Sequence, residues 1–266
     1  MGKLFAAVVT VIALVSTALF FTHHLWLPPD IAAHGPALDR QLRETLVATG
    51  VLFVAAQLSL AVFAWRSGER KVPRPIRTFP GGAKPLVIGA IALVGIEILT
   101  LTLVGSKVWA AVYLTKTDPN ALTIDAQAEQ FAFYFRYAGG DGKFGAVYSA
   151  KMDEASGNFF GLDPENDVAA RDDIIAATLT VPVSRPILLW MHAKDVNHAF
   201  YVPELRIQQD FVPGMTLPLR FTPTKTGRFE VVCTQLCGLG HYNMKAYIEV
   251  VSQPDFEKWL KDNAVQ

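Results

Sequence analysis

The sequence predicts a two-part chain, with apolar helices that cross a membrane followed by an all-β sandwich or barrel. Three observations carry this. Only 18% of the 266 residues are charged, against about 25% in ordinary soluble proteins. The deficit lies before Ala110, where three long apolar runs occur. From Ala110 onward, short aromatic and β-branched runs alternate with Pro, Gly and polar breaks, which is the pattern of short strands joined by turns.

The first apolar run is Leu4–Phe21, behind Lys3. A membrane span needs about 20 apolar residues, so this run is near the limit. The apolar core of a signal peptide is shorter, about 7–15 residues, and ends at a small-residue cleavage site. No such site follows directly, and His23, His24 and Trp26 read as an interfacial boundary. Residues 1–27 therefore favour a retained helix over a signal peptide. The second run, Thr45–Trp65, is followed by Arg66, Arg70, Lys71, Arg74, Arg77 and Lys84, with Glu69 opposing. Pro73, Pro75, Pro80 and the Gly81-Gly82 pair make 66–84 a loop, and its positive charge places it in the cytoplasm. The third run goes from Pro85 to near Val108, with Trp109 and Tyr113 as an aromatic belt.

Residues 28–110 thus form a helical hairpin in the membrane lipid. Its third helix runs outward and its second runs inward, so residues 28–44 lie outside. Residues 111–266 are exported to the outer, periplasmic face of the cell membrane as a domain of ordinary size. From Ala110 to the end there are 14 Lys and Arg against 19 Asp and Glu, a balance of −5. An acidic exported domain suits a basic protein partner, and no nucleic-acid partner is expected. Strands are predicted at 131–137, 176–181, 187–191, 217–221, 227–232 and 246–251. The polar stretch Gly139–Asp173 reads as an insertion loop, and Pro254–Leu260 as a short terminal helix.

The chemistry concentrates in Cys233-Thr-Gln-Leu-Cys237-Gly-Leu-Gly-His241-Tyr-Asn-Met244. Two thiols, an imidazole and a thioether fall in one loop, and Gly238 and Gly240 permit its tight turns. Thiolate and thioether are soft ligands, a set that selects copper over magnesium or calcium, while Met argues against zinc. His198, between two strand-like runs, is a further ligand delivered from a neighbouring strand. Asp195 is a candidate to hydrogen-bond and orient it. On residues alone, a plain disulfide, a zinc site and a mononuclear copper site remain alternatives.

These residues, with Asp195-Val-Asn-His198, Val202-Pro-Glu, Asp210-Phe-Val-Pro-Gly214 and Phe221-Thr-Pro-Thr-Lys-Thr-Gly227, make the chain resemble subunit II of the haem–copper cytochrome c oxidases over roughly residues 85–262. The resemblance implies a helical hairpin followed by a cupredoxin-like Greek-key β-barrel carrying dinuclear copper, the copper A centre. It implies that Cys233 and Cys237 bridge both ions. His198 and Met244 would complete one copper, and His241 and the Gln235 carbonyl the other. Relatives often carry Glu where Gln235 stands, and that Glu helps hold magnesium at the subunit interface. Neutral Gln is a weaker ligand for a hard cation, which argues against magnesium here.

By the same resemblance, Phe131 stands where relatives carry the Trp that receives the electron. Glu97 stands near the mouth of a proton pathway into subunit I, and an ionisable group in a span is a functional candidate in any case. Asp210 would join the water-filled region at the subunit interface, while Gln208 replaces a frequent Lys. The implied function is electron transfer from cytochrome c to the haem-bearing subunit I, where oxygen is reduced to water. Rival readings are the copper A subunit of a nitric oxide reductase and a non-catalytic membrane-anchored copper-binding protein. Delivery proteins favour exposed Met- and His-rich sites, unlike this Cys pair held in a Gly-turned loop.

Overall fold

The computed structural model describes residues 2–22, 27–68 and 84–264. The readings placed on His23, His24, Trp26 and most of the basic loop, 69–83, fall outside them. Three helices are long and apolar enough to cross a membrane: α1, Gly2–Thr22; α2, Gly35–Gly68; and α3, Lys84–Tyr113. Polar residues inside them satisfy themselves locally. The hydroxyls of Thr10, Thr17, Thr45, Thr49 and Thr100 each donate to the carbonyl four residues back, which suits a solvent that offers no partners. α2 begins at Gly35 rather than Thr45, because helix formers such as Leu42, Arg43 and Glu44 extend the helix beyond its apolar part.

The chain divides into two compact units, Met1–Pro28 with Ala37–Ala110, and Pro29–Pro36 with Ala111–Gln266. The second unit is a β-sandwich of two five-stranded sheets. Its strands are β1 Leu122–Glu129, β2 Ala132–Tyr137, β3 Ile174–Ala176, β4 Thr178–Pro182, β5 Ile187–Ala193, β6 His198–Val202, β7 Ile207–Phe211, β8 Leu217–Phe221, β9 Gly227–Val232 and β10 Lys245–Val251, followed by helix α4, Gln253–Asn263. One sheet has the order β3-β2-β1-β5-β8, the other β4-β10-β9-β6-β7. The pairs β1–β5 and β4–β10 are parallel, and the rest are antiparallel. This is the cupredoxin-like architecture the sequence led us to expect. Strand alternation sends Ile124, Ala126 and Ala128 of β1 and Phe133, Phe135 and Tyr137 of β2 inward, where all are buried.

Tyr137 ties the sheets together. Its hydroxyl accepts from the Thr180 N–H at 2.7 Å and donates to the Thr180 carbonyl at 3.0 Å. β4 is a sheet edge, so those backbone groups have no strand beyond them. Burial of the phenol pushes its ionisation far above the ordinary tyrosine range. Tyr137→Phe should cost about 1–3 kcal/mol by leaving a buried N–H and carbonyl unpaired, read as a lower denaturant midpoint at unchanged slope.

The insertion between β2 and β3 is irregular, with two short 3-10 turns, and it is pinned rather than loose. Arg136 of β2 is its anchor. The guanidinium pairs with Asp125 of β1, lies 3.2 Å from Asp173, and donates to the Gly145 carbonyl at 2.9 Å. It also lies over the rings of Phe144 and Phe160. Phe160, Leu162 and Ala170 form a small apolar cluster with Tyr134, Phe159 and Ile175.

The segment Pro29–Pro36 runs into the first residues of α2 and packs as part of the sandwich unit. The Ile31 N–H donates to the Glu204 carbonyl at 3.0 Å, and the Ala33 N–H to the Thr222 carbonyl at 3.0 Å. The Thr224 N–H returns to the Ile31 carbonyl at 2.7 Å. Ile31 is only 1% exposed. Sequence reading placed this segment outside the membrane without foreseeing its attachment.

Candidate metal centre

The β9–β10 hairpin builds the site. Val232 pairs with Lys245, so the loop 233–244 leaves and re-enters the sheet at one point. The Cys233 N–H donates to the Met244 carbonyl at 3.2 Å and closes its base. Inside the loop, the His241 N–H bonds the Gly238 carbonyl and the Asn243 N–H bonds that of Gly240. β6 runs antiparallel to β9 with Tyr201 opposite Val232. Continued along the strand, that register sets His198 beside the Cys233 end of the loop. His198 was expected between two strands; it is the first residue of β6, which fixes its backbone more firmly than a loop would.

The predicted donors converge. The Cys233 and Cys237 sulfurs are 3.8 Å apart. Cys233 Sγ lies 3.2 Å from the Gln235 carbonyl oxygen, Cys237 Sγ 3.6 Å from His241 Nδ1, and Cys237 Sγ 3.7 Å from Met244 Sδ. The ligand atoms of His198, Cys233 and Cys237 all lie within 4.8 Å of one another, the one such His/Cys/Asp/Glu group among the described residues. His198, Cys233, Cys237 and Met244 are buried, whereas Leu236, Leu239 and Tyr242 point outward. The cysteines are free thiols.

Asp195 sets the tautomer of His198. Its Oδ1 is 2.8 Å from His198 Nε2, and its Oδ2 accepts the Gln130 N–H at 2.8 Å. Burial raises the Asp195 carboxyl, but His198 and the backbone N–H groups outweigh it and hold it below the usual range. An ionised Asp195 accepts from Nε2–H, which leaves the lone pair on Nδ1. That Nδ1 is buried without a hydrogen-bond partner among the described residues. Burial also pushes the Cys233 thiol up, yet the His198 ring and nearby backbone groups pull it well below its ordinary value. For Cys237, burial and then the Cys233 sulfur push the thiol up. One thiolate therefore forms readily, and a second needs a cation beside it. A buried imidazole lone pair, two sulfurs and a thioether fit copper.

Phe131 is 41% exposed beside this loop. A Cβ on Gly240 would lie 2.5 Å from the Phe131 ring, and one on Gly238 would lie 2.7 Å from Gln130 Nε2. Gly238 also has φ of +136°, so both steric room and backbone conformation require glycine there. Gln130 was not singled out from sequence. Its side-chain amide donates to the Cys237 carbonyl, and its place just before Phe131 was the available signal. Asp210 receives the Gln235 side-chain amide at 3.3 Å, and the Gln208 carbonyl receives the Tyr113 hydroxyl at 3.3 Å. Glu97 lies in α3, with Oε1 buried and without a hydrogen-bond partner among the described residues.

The profile of the family described as "Cytochrome C oxidase subunit II, periplasmic domain" matches residues 122–251. The chain is similar to the alternative cytochrome c oxidase subunit 2 of Bradyrhizobium diazoefficiens, 29% identical over 260 residues, covering 96% of this chain and 90% of that one. It is also similar to cytochrome c oxidase subunit 2 of Cereibacter sphaeroides, 25% identical over 224 residues, covering 81% and 72%. Among solved structures, it resembles the periplasmic domain of subunit II of cytochrome oxidase of Bradyrhizobium japonicum. There the TM-score is 0.41 at 26% identity, over 56% of this chain and 96% of that one.

Proposed function

We propose that the chain is a member of the cytochrome c oxidase subunit II family of haem–copper oxidases, and that its 233–244 loop and His198 hold a dinuclear copper A centre. In this reading Cys233 and Cys237 would hold both ions through their thiolates, His198 and Met244 would complete one, and His241 and the Gln235 carbonyl the other. Bound there, the copper pair would supply one-electron chemistry, taking electrons from a cytochrome c and giving them to the haem-bearing subunit I that reduces oxygen to water. The observation that carries the proposal is the convergence of a His198 ring nitrogen and two free thiols within 4.8 Å of one another, beside a thioether.

The chain's own residues do three things there. Asp195 fixes which His198 nitrogen faces the sulfurs. Hairpin hydrogen bonds hold the loop in place, so little reorganises when charge changes. Leu236, Leu239 and Tyr242 stand outward with Phe131 and give a donor protein an apolar surface close to the sulfurs. Phe131 is the aromatic residue through which electrons reach the site in this reading. Glu97, with its unpartnered carboxyl oxygen in a span, serves the mouth of a proton path. Gln235 lends its side chain to Asp210 rather than to magnesium. We divide the chain as an N-terminal segment 1–27, a hairpin 28–110 and an exported domain 111–266, with the sandwich on the periplasmic face of the cell membrane. The Pro29–Pro36 attachment supports this, since it ties the start of α2 to the unit that follows α3.

Electron paramagnetic resonance of the copper-loaded full chain tests the reading. The expected result is the hyperfine pattern of one electron shared by two equivalent coppers. A pattern from a single copper would overturn the dinuclear assignment. Gln235→Ala should keep that signal, because only its main chain would coordinate. Loss of copper in a folded Gln235→Ala chain would remove this residue from the centre.

A further inference from the structure

At the base of the sandwich unit, the Pro29–Pro36 segment, the chain just after α3 and the end of β8 enclose a cavity of about 240 Å3. His34, Lys116, Thr117, Asp118, Arg220 and Thr222 help to line it. The Arg220 side chain is fixed by Nε, which donates to Thr117 Oγ1 at 2.9 Å. Its terminal nitrogens, and the Lys116 ammonium, have no ion-pair partner among the described residues. Asp118 also lines the cavity and uses one carboxylate oxygen on the Asn120 N–H at 2.8 Å. His34 Nε2 is buried without a hydrogen-bond partner among the described residues. A domain with a net surplus of acids thus leaves two cations and a histidine ring lining one small space.

We propose that this cavity binds a phosphate group, taken by the Arg220 fork and the Lys116 ammonium. A planar guanidinium with free terminal donors matches phosphate oxygens in a bidentate way, and a lysine beside it adds a point charge. His34 lines the cavity as a neutral ring, since burial disfavours its imidazolium. The source of the phosphate follows from place. Lys116 stands three residues beyond Tyr113, the last residue of α3, so it is within about 10 Å of the helix end at extended-chain reach. If α3 crosses the bilayer, that is headgroup depth. An anionic phospholipid headgroup and free phosphate share the recognising chemistry, and the experiment separates them.

The copper-loaded full chain in detergent is delipidated, then titrated with phosphatidylglycerol, phosphatidylcholine or inorganic phosphate, and bound molecules are counted by native mass spectrometry. The K116Q/R220Q double variant is run beside it, with thermal unfolding and the copper resonance signal as checks of fold. Retention of phosphatidylglycerol in preference to phosphatidylcholine, weakened at least about tenfold in the folded double variant, supports a lipid headgroup. Saturable inorganic phosphate binding that the double variant loses, without lipid preference, supports the same site with free phosphate as its ligand. Equal retention of every probe by the native chain and the folded variant overturns the proposal, as does no retention of any probe. None of these outcomes depends on how many coppers the upper site holds.

Discussion

Cys233→Ser is expected to leave a folded sandwich that no longer gives the shared-electron resonance signal and no longer supports cytochrome c oxidation by the assembled oxidase. Copper-dependent electron transfer should fall by more than about a hundredfold, beyond the 10–100-fold typical of changes to groups that merely support the ligands. A hydroxyl is a hard, weakly acidic donor and does not replace a bridging thiolate. The fold should survive because the hairpin closes through backbone bonds. The Cys233 N–H to Met244 carbonyl bond and the Val232–Lys245 pairing need no sulfur. Circular dichroism and thermal unfolding check the fold, and resonance checks the centre. Persistence of the dinuclear signal in the serine variant would exclude Cys233 as a bridge.

The second large effect is on stability. Arg136→Met should cost about 3–5 kcal/mol, the range for removing one partner of a buried ionic group. The Arg136 side chain is 3% exposed, with Asp125 and Asp173 buried against it. Methionine fills the space but leaves two carboxylates without their cation. The pH dependence has a definite sign. Burial raises the Asp125 carboxyl, but His192 and Arg136 outweigh it, so its folded-state ionisation lies below the ordinary value. Its contribution is full above the unfolded value of about 3.9 and is lost as pH falls through the lower folded value. Asp173 is raised, first by burial, so stability is lost as pH rises from the ordinary carboxyl value up through that raised value. In the methionine variant both carboxyls shift upward. The stability gap to the native chain should therefore be widest near neutral pH and narrow toward pH of about 4. Urea unfolding at several pH values reads this directly, and a gap that widens on acidification would contradict it.

The parts that could be read from sequence were those with a local chemical signature. The loop 233–244 shows its candidate donors through residue type and glycine spacing, and six strands announced themselves by β-branched and aromatic runs. β1 was missed because Leu122–Glu129 carries two alanines and two carboxylates, a poor β signal. It is a strand because Phe135 and Leu189 flank it on neighbouring strands. β6 and β7 were read only as the surroundings of His198, since Pro203 and the turn at Arg206 break up the run. The pairing of Arg136 with Asp173 across a long insertion has no local trace. Nor does the gathering of His34, Lys116 and Arg220, which are far apart in the chain and meet only through the sandwich.

The Pro29–Pro36 attachment has a practical corollary for any attempt to isolate the sandwich unit. A water-soluble fragment that begins after α3 would lack the short stretch that seats Ile31 and would expose the backbone groups of Glu204, Thr222 and Thr224 that it satisfies. Such a fragment is a different object from the native domain, with an open seam along the end of β8. Fusing residues 29–36 ahead of residue 111 through a flexible linker should close that seam and raise the melting temperature of the fragment.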